Sequence, residues 1–162
     1  MSADLTLADA QGLLLHEADL LDRWQLLEWA ALFTDDGEYQ VPAPDSPDAA
    51  HGNSLYLIDD DRHRLEQRAR RLLSSAAHAE QPRSRTCRLV SNIRLVPAEA
   101  GFAGAACAFV LHRSKGERLD LYPGHAHYTF KRDVAGRWLI RRKRAVLALA
   151  HLRLQGMLSL IV

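Results

Sequence analysis

Hydrophobic and polar positions follow two different periods along this chain. Over the first half, apolar residues recur with helical spacing, and over the second half they alternate with polar residues as in β-strands. The clearest alternation is RTCRLVSNIRLV, Arg85–Val96, which predicts a long strand with one apolar face. That face consists of Cys87, Leu89, Ser91, Ile93 and Leu95. The opposite face carries Arg88 and Arg94 among apolar residues, so a polar group is expected to lie against it.

Two helices are predicted before the first strand. Thr6 and Asp9 form a capping-box signal for the first helix, which the spacing of the leucines extends to about Leu21. Asp22 can cap the second helix, which is expected to end within residues 34–37. The apolar stripe of this second helix consists of Trp24, Leu27, Ala31 and Leu32.

Two short strands and a third helix follow. A strand is predicted over Glu38–Val41, stopped by Pro42, and another over Ser54–Ile58 after a proline-rich loop. The acidic run Asp59–Asp61 suits the positive end of the third helix better than it suits an acid-catalytic site. The buried stripe of that helix is predicted to include Leu65, Ala69, Leu72 and Leu73.

After Pro82 the pattern predicts four long strands joined by the hairpin connections PAEAG, SKG and DVAG. The strands are Arg85–Val96, Phe102–Arg113, Glu117–Arg132 and Arg137–Leu149. Three helices followed by an antiparallel meander indicate an α+β fold. Pro123 and Gly124 interrupt the third long strand, where a bulge or bend is expected to curl the sheet around the helices into a cone.

Composition narrows the class of protein. With 162 residues and 48% hydrophobic content, the chain can bury roughly 70% of its unfolded surface in one core, so residues 1–162 are predicted to form a single domain. A formal net charge of +1 gives no long-range field to recruit nucleic acid or an anionic membrane. Two cysteines, no secretory signal and no apolar run of membrane-spanning length predict a soluble chain in the reducing cytoplasm.

Four stretches, taken in order, resemble the small (beta) subunit of bacterial aromatic-ring-hydroxylating dioxygenases. They are LLDRWQLLEWAALFTDDGEYQVP, NSLYLIDDDRHRLEQRARRL, PRSRTCRLVSNIRLV and GRWLIRRKRAVL. The resemblance implies a nuclear-transport-factor-2-like (NTF2-like) cone. LYLIDDDR and YPGHAHY further resemble the branch that acts on substituted aromatic carboxylates such as p-cumate.

The same resemblance implies partners and chemistry. Small subunits of this family assemble with a larger alpha subunit, commonly as α3β3, and associate with one another as a trimer. The alpha subunit carries a Rieske 2Fe–2S cluster and a mononuclear Fe(II). The complex dihydroxylates an aromatic ring, using dioxygen and electrons that come from NAD(P)H through a reductase and usually a ferredoxin.

The residues themselves give little support for a metal site in this chain. A Rieske centre needs two cysteines and two histidines in short motifs, whereas Cys87 and Cys107 lie far apart with no histidine close to either. The set closest to an iron site is His125 and His127 with Asp120, but histidines two apart on a strand more often line a cavity or the surface. We therefore assign no catalytic, cofactor-binding or metal-binding residue.

Four consecutive cations, Arg141–Arg144, stand out in the last strand. Alternation places Arg142 and Arg144 on the side of Trp138 and Ile140, and the other two cations on the opposite side. A curled sheet cannot expose both faces to water, so at least one pair is expected to meet carboxylates. The candidate carboxylates are Asp35, Asp36, Asp59, Asp60, Asp61 or those of a partner subunit. The predicted subunit-assembly residues are Arg88, Arg94, Trp138, Arg142 and Arg144.

Two rival functions remain open at this point. One is an independent cavity enzyme, an isomerase or dehydratase, that would recruit Tyr56, Asp36, His112 and His127 for acid-base chemistry inside the cone. The other is a binding or scaffold module with no enzyme partner. A co-purifying Rieske-type large subunit would decide for the dioxygenase reading.

Overall fold

The structure of the protein, a computed structural model, describes residues 4–48, 50, 56–75, 81–150 and 160–162. Within these residues three helices and six strands follow one another along the chain. They are α1 (Leu7–Asp22), α2 (Leu26–Ala30), β1 (Phe33–Pro42), β2 (Tyr56–Asp61), α3 (Arg62–Leu73), β3 (Arg85–Val96), β4 (Ala103–Lys115), β5 (Arg118–Arg132) and β6 (Trp138–Leu147). Ser54, the predicted start of the second strand, lies outside the described residues.

The six strands form one mixed sheet in the order β2-β1-β6-β5-β4-β3. β1 runs parallel to β6, and every other neighbouring pair is antiparallel. The sheet is curved and does not close, and the three helices lie against its concave side. The predicted α+β plan, with three helices before an antiparallel meander, is confirmed.

The core lies between the helices and the concave face, which we call the inner face. Its largest fully buried side chains include Trp29, Tyr39, Tyr122 and Phe130. The Trp29 ring meets the rings of Phe33 and Tyr39 edge-on, with centroids 5.2 and 5.5 Å apart. Edge-to-face pairs of this kind add attraction beyond the area they bury. Trp29 therefore joins α2 to β1 at the centre of the fold.

The boundary between the second helix and the first strand differs from the prediction. α2 has only five residues, and β1 begins at Phe33 rather than at Glu38. The strand starts early because Phe33 pairs with Ile140 of β6, and Leu32 O accepts a hydrogen bond from Ile140 N at 2.8 Å. Tertiary pairing here overrides the helical spacing of the apolar residues.

Register shifts, rather than Pro123 and Gly124, interrupt the sheet. Pairing with β4 is continuous through both residues, so the predicted bulge at this point is wrong. Gly124 instead allows close packing, because a Cβ there would lie 2.5 Å from Val146 O and 2.7 Å from Phe109 Cζ. The shifts occur in β3, where Asn92 has a φ of 53°, between β5 and β6 beside Arg141, and in the pairing of β1 with both of its neighbours.

The two faces of β3 are oriented opposite to what the alternation of apolar and polar residues would suggest. Its apolar side is exposed, with Leu89 57% accessible, whereas Arg88 and Val90 point towards the helices. Arg88 is tolerated there because Asp22, at the end of α1, accepts hydrogen bonds from the Arg88 backbone N at 2.9 Å and from its guanidinium at 2.5 Å. The expected polar group is thus Asp22, which ends α1 instead of capping α2.

Candidate functional site

The face of the sheet that points away from the helices, the outer face, is apolar at one end. Leu89 of β3 and Leu119 and Leu121 of β5 are exposed there, with Leu119 62% accessible, and we call these three residues the leucine patch. The strand pairing Leu89–Val110–Pro123 and the pairing Cys87–His112–Leu121 place them on one surface. Apolar side chains clustered on one exposed sheet face are typical of a contact surface for another chain.

The other end of the outer face is basic. Arg94 pairs with Ala106, Ala106 with His127, and His127 with Arg144, which creates a row across four strands. We call Arg94, His127 and Arg144 the basic row. Partial burial lowers the pKa of His127, and the nearby charges of Arg94, His125 and Arg144 lower it further. His127 is therefore neutral near pH 7, and the positive charge of the row comes from Arg94 and Arg144, which favour an acidic surface opposite them.

Arg144 is held in position within this row. Its guanidinium donates to the Tyr56 hydroxyl at 3.1 Å and to the Pro47 carbonyl at 2.9 Å, and it lies 5.7 Å from the centre of the Tyr56 ring. Such contacts restrict the side chain to one part of the outer face.

Arg142 and Arg141 lie beside the basic row and share acidic partners from β1. Glu38 accepts a hydrogen bond from Arg142 Nε at 2.7 Å, and Arg141 Nε lies 3.0 Å from Asp36. Burial raises the pKa of Glu38, but the hydrogen bond and charge of Arg142, together with Arg141, outweigh it and hold that pKa below its usual value. Both arginines line an open groove of about 510 Å³ that also contains Phe102.

The prediction for the four cations is confirmed in one part and wrong in another. Asp36 was among the expected carboxylates, whereas Glu38 and Glu17 were not. Arg142 does not share a side with Ile140, because the register shift between β5 and β6 makes Arg141 an extra residue and reverses the alternation. Ile140 is buried and Arg142 is exposed as a result.

The five predicted assembly residues lie in different environments. Arg94, Arg142 and Arg144 are on the outer face, and half-buried Trp138 lies 4.7 Å beneath the guanidinium carbon of Arg132. Arg88 is inside the cone with 8% of its side chain accessible, where it contacts Asp22 and the Ile161 carbonyl. An assembly role stays a prediction for all five residues.

The interior of the cone contains a buried ion pair that the sequence reading missed. Lys143 Nζ donates to Glu17 Oε1 at 2.9 Å, with 4% and 3% of the two side chains accessible. Trp29 Nε1 donates to the same oxygen at 2.9 Å, and the Tyr128 hydroxyl donates to the other oxygen at 2.6 Å. Burial alone would raise the pKa of Glu17, but Lys143, Tyr128 and Trp29 together lower it. This carboxylate is ionised and already engaged on both oxygens, so it is poorly placed to act as an acid or base.

A sequence signal for this pair does exist. Glu17 lies three residues after Leu14 and four before Leu21, on the same stripe of α1 that packs into the core. Lys143 is four residues before Leu147 on the same side of β6. An acid in an apolar helix stripe and a base in an apolar strand face are expected to find each other when buried.

The residues of the rival enzyme reading do not meet inside the cone. His112 and His127 are on the outer face, Tyr56 contacts Arg144, and Asp36 contacts Arg141. These four residues therefore form no common site.

The three residues considered for an iron site are also separated by the sheet. His125 and His127 are exposed on the outer face, while Asp120 is buried on the inner face and pairs with Arg118 at 2.9 Å. Among the described residues, no group of three His, Cys, Asp or Glu side chains could hold a metal ion. Over the same part of the chain, no helix is long and apolar enough to cross a membrane.

Comparison with known proteins gives these surfaces a context. A chain of naphthalene 1,2-dioxygenase with indole bound in the active site matches with a TM-score of 0.83 at 18% identity, covering 96% of this chain and 85% of that one. An NTF2-like protein with a cystatin-like fold from Novosphingobium aromaticivorans matches with a TM-score of 0.60 at 18% identity, covering 94% and 90%. These likenesses confirm the predicted cone fold.

Sequence similarity is more specific. The family model described as the ring hydroxylating beta subunit matches residues 16–153. The small oxygenase component of the p-cumate 2,3-dioxygenase system of Pseudomonas putida is 46% identical over 162 residues, covering 99% of this chain and 89% of that protein. The resemblance carried by the four sequence stretches is thereby confirmed, and the chain belongs to the family of beta subunits of aromatic-ring-hydroxylating dioxygenases.

Proposed function

We propose that this chain is a non-catalytic assembly subunit, inactive on its own, that holds larger alpha subunits in register. The observation that carries the proposal is the contrast between its two faces. The polar groups around Glu17 in the interior are engaged with one another, whereas the leucine patch and the basic row are presented on the outer face. A surface that is part apolar and part basic suits contact with another protein.

The complex we propose has three small and three large subunits and works in the cytoplasm. Its alpha subunits carry the Rieske 2Fe–2S cluster and the mononuclear Fe(II), and electrons reach them from NAD(P)H through a reductase and a ferredoxin. The identity of 46% to the small component of a p-cumate 2,3-dioxygenase system supports a substituted aromatic carboxylate as the substrate. In this arrangement the small subunit supplies no ligand to either metal.

The test is to co-express this chain with its large subunit and to compare Arg142→Ala and Arg144→Ala with the unaltered protein. We expect sedimentation to show fewer complexes, because each substitution removes a cation from the outer face. Turnover per assembled complex should be unchanged, and metal analysis of the small subunit alone should find no stoichiometric iron.

Arg70→Ala is the matched control, since Arg70 is an exposed arginine on α3, on the other side of the sheet. It should leave assembly intact. A variant that stays fully assembled but loses turnover would contradict the proposed role, as would about one iron per isolated chain.

A further inference from the structure

The space inside the cone is filled by a segment of the chain itself. Leu160, Ile161 and Val162 are all almost completely buried, and they belong to the same core as Leu21, Tyr39 and Phe109. They are not part of any helix or strand. A segment without regular structure in a core must satisfy its backbone polar groups through other partners.

The peptide group between Ile161 and Val162 is bound on both of its sides. Its carbonyl accepts a hydrogen bond from the Arg88 guanidinium, and its N–H donates to the Tyr39 hydroxyl oxygen at 3.0 Å. The same hydroxyl lies 3.2 Å from Val162 O, to which it can donate. Arg88 and Tyr39 come from different strands, so they form a clamp with one donor and one acceptor for a single amide.

The groups that make this clamp are fixed from behind. Asp22 pairs with Arg88, and burial raises the pKa of Tyr39, which keeps its hydroxyl protonated. Lys143 and Glu17 pair with each other deeper in the cone. The interior side-chain charges are thus matched, and a guest that carried a charge would leave one unmatched.

The fit around the segment is close. Beside Ile161 and Leu160, next to Trp24 and Leu72, a cavity of about 10 Å³ remains. Beside Val162, next to Leu14 and Phe109, another of about 20 Å³ remains. Spaces of this size hold about one water molecule each. The aliphatic side chains of the segment therefore fill a closely fitting, mostly apolar space.

We propose that the inside of the cone is a binding site for a small neutral secondary amide flanked by apolar groups, and that Leu160–Val162 is its resident occupant. The amide recognition comes from Arg88 and Tyr39, and the apolar recognition comes from the core residues around them. Displacement of the segment opens the site to a free ligand of the same chemistry. This site is separate from the outer face on which assembly is proposed, so either proposal can fail alone.

The experiment uses the full-length chain with Ile161→Gly and Val162→Pro. These changes remove the buried side chain of Ile161 and the Val162 N–H that donates to the Tyr39 hydroxyl. The probe is N-isopropylbenzamide, and titration calorimetry measures its binding. We expect it to bind the variant at least about tenfold more tightly than the unaltered chain, where the segment competes for the site.

Two comparisons make the result specific. Isopropyl benzoate keeps the carbonyl but lacks the N–H, so it should bind the variant about three- to tenfold more weakly than the amide. Ile161→Leu conserves volume and keeps the segment in place, so that variant should bind no more amide than the unaltered chain. Equal binding of amide and ester, or equal binding by altered and unaltered chains, would overturn the proposal.

Hydrogen exchange on the unaltered chain decides the matter if the double variant does not fold. The Val162 amide should be protected as strongly as amides of the core strands, and Tyr39→Phe should accelerate its exchange. Exchange at the rate of an open chain would show that the clamp does not form. In that case the site has no resident occupant and the proposal is wrong.

Discussion

Lys143 and Arg144 are neighbours in one strand, yet they have opposite tasks. Lys143 points into the cone, where Glu17 neutralises it, and Arg144 points outwards, where it donates hydrogen bonds to a hydroxyl and a carbonyl. One cation of the run thus stabilises the core, and the next lies on the face for which we propose contact with another subunit. The sequence alone could not show which of the two cations is buried, because that depends on which face of the sheet the helices cover.

Removing each cation in turn tests most directly whether the two contribute differently to stability. Lys143→Ala leaves Glu17 as an unpaired buried charge, and we expect it to lower the free energy of unfolding by about 3–5 kcal/mol. Arg144→Ala should cost about 1–2 kcal/mol, because the hydrogen bonds it removes are partly exposed. Urea denaturation of the isolated chain measures both values.

A double variant separates the charge from the packing. Glu17→Gln with Lys143→Met removes both charges and keeps a side-chain oxygen that can accept from Trp29 or Tyr128, so it should be much less destabilising than Lys143→Ala alone. If Lys143→Ala and Arg144→Ala cost the same, the difference that we draw between the two faces is mistaken.

Acid should destabilise the chain partly through Glu17. Its pKa in the folded chain lies below the ordinary 4.5, so the unfolded state binds more protons as the pH falls through that region. The stabilising effect is therefore complete above about pH 4.5 and is lost below it. We therefore expect the free energy of unfolding to fall less steeply between neutral pH and pH 3 for Glu17→Gln with Lys143→Met than for the unaltered chain. Urea denaturation at a series of pH values measures it. Parallel curves would mean that Glu17 contributes nothing to acid sensitivity.

A substitution in the leucine patch should have the smallest effect on the stability of the chain, although it should weaken assembly. Leu89→Ser should change the free energy of unfolding of the isolated chain by less than about 0.5 kcal/mol, since Leu89 is already exposed. If a partner covers the patch, affinity should fall about tenfold, as expected for losing one buried leucine. Leu15→Ser on α1, also at an exposed leucine, is the control and should not alter assembly. Unchanged sedimentation of Leu89→Ser complexes would exclude this end of the sheet from the interface.

The regular parts of the fold could be predicted from the sequence because local pattern and tertiary structure agree there. β3 has the predicted bounds, β4 to β6 begin and end within two residues of the predicted ones, and Asp61 caps α3 as expected. The capping box of Thr6 and Asp9 is also present. In these elements the apolar period, the turn residues and the caps all favour the same structure.

The parts that could not be predicted depend on single residues that change the phase of a strand. The extra residues at Asn92 and Arg141 reverse the alternation, so inner and outer positions cannot be counted through them. Hydrophobicity also failed to assign the faces of β3, because buried Arg88 has Asp22 as its partner while Leu89 is left exposed. The Ile161–Val162 clamp depends on a contact between distant parts of the chain, for which the sequence has no local pattern.

The register shift at Asn92 also affects how the chain behaves before it assembles. β3 is an edge of the sheet, and a long flat edge strand with exposed leucines would be a template for pairing with the same strand of another molecule. The left-handed residue at Asn92 twists that edge, and Arg94 follows it with a charge. With the outer face as the assembly surface proposed above, the chain exposes that face without a matching edge, which favours face-to-face assembly over open-ended aggregation.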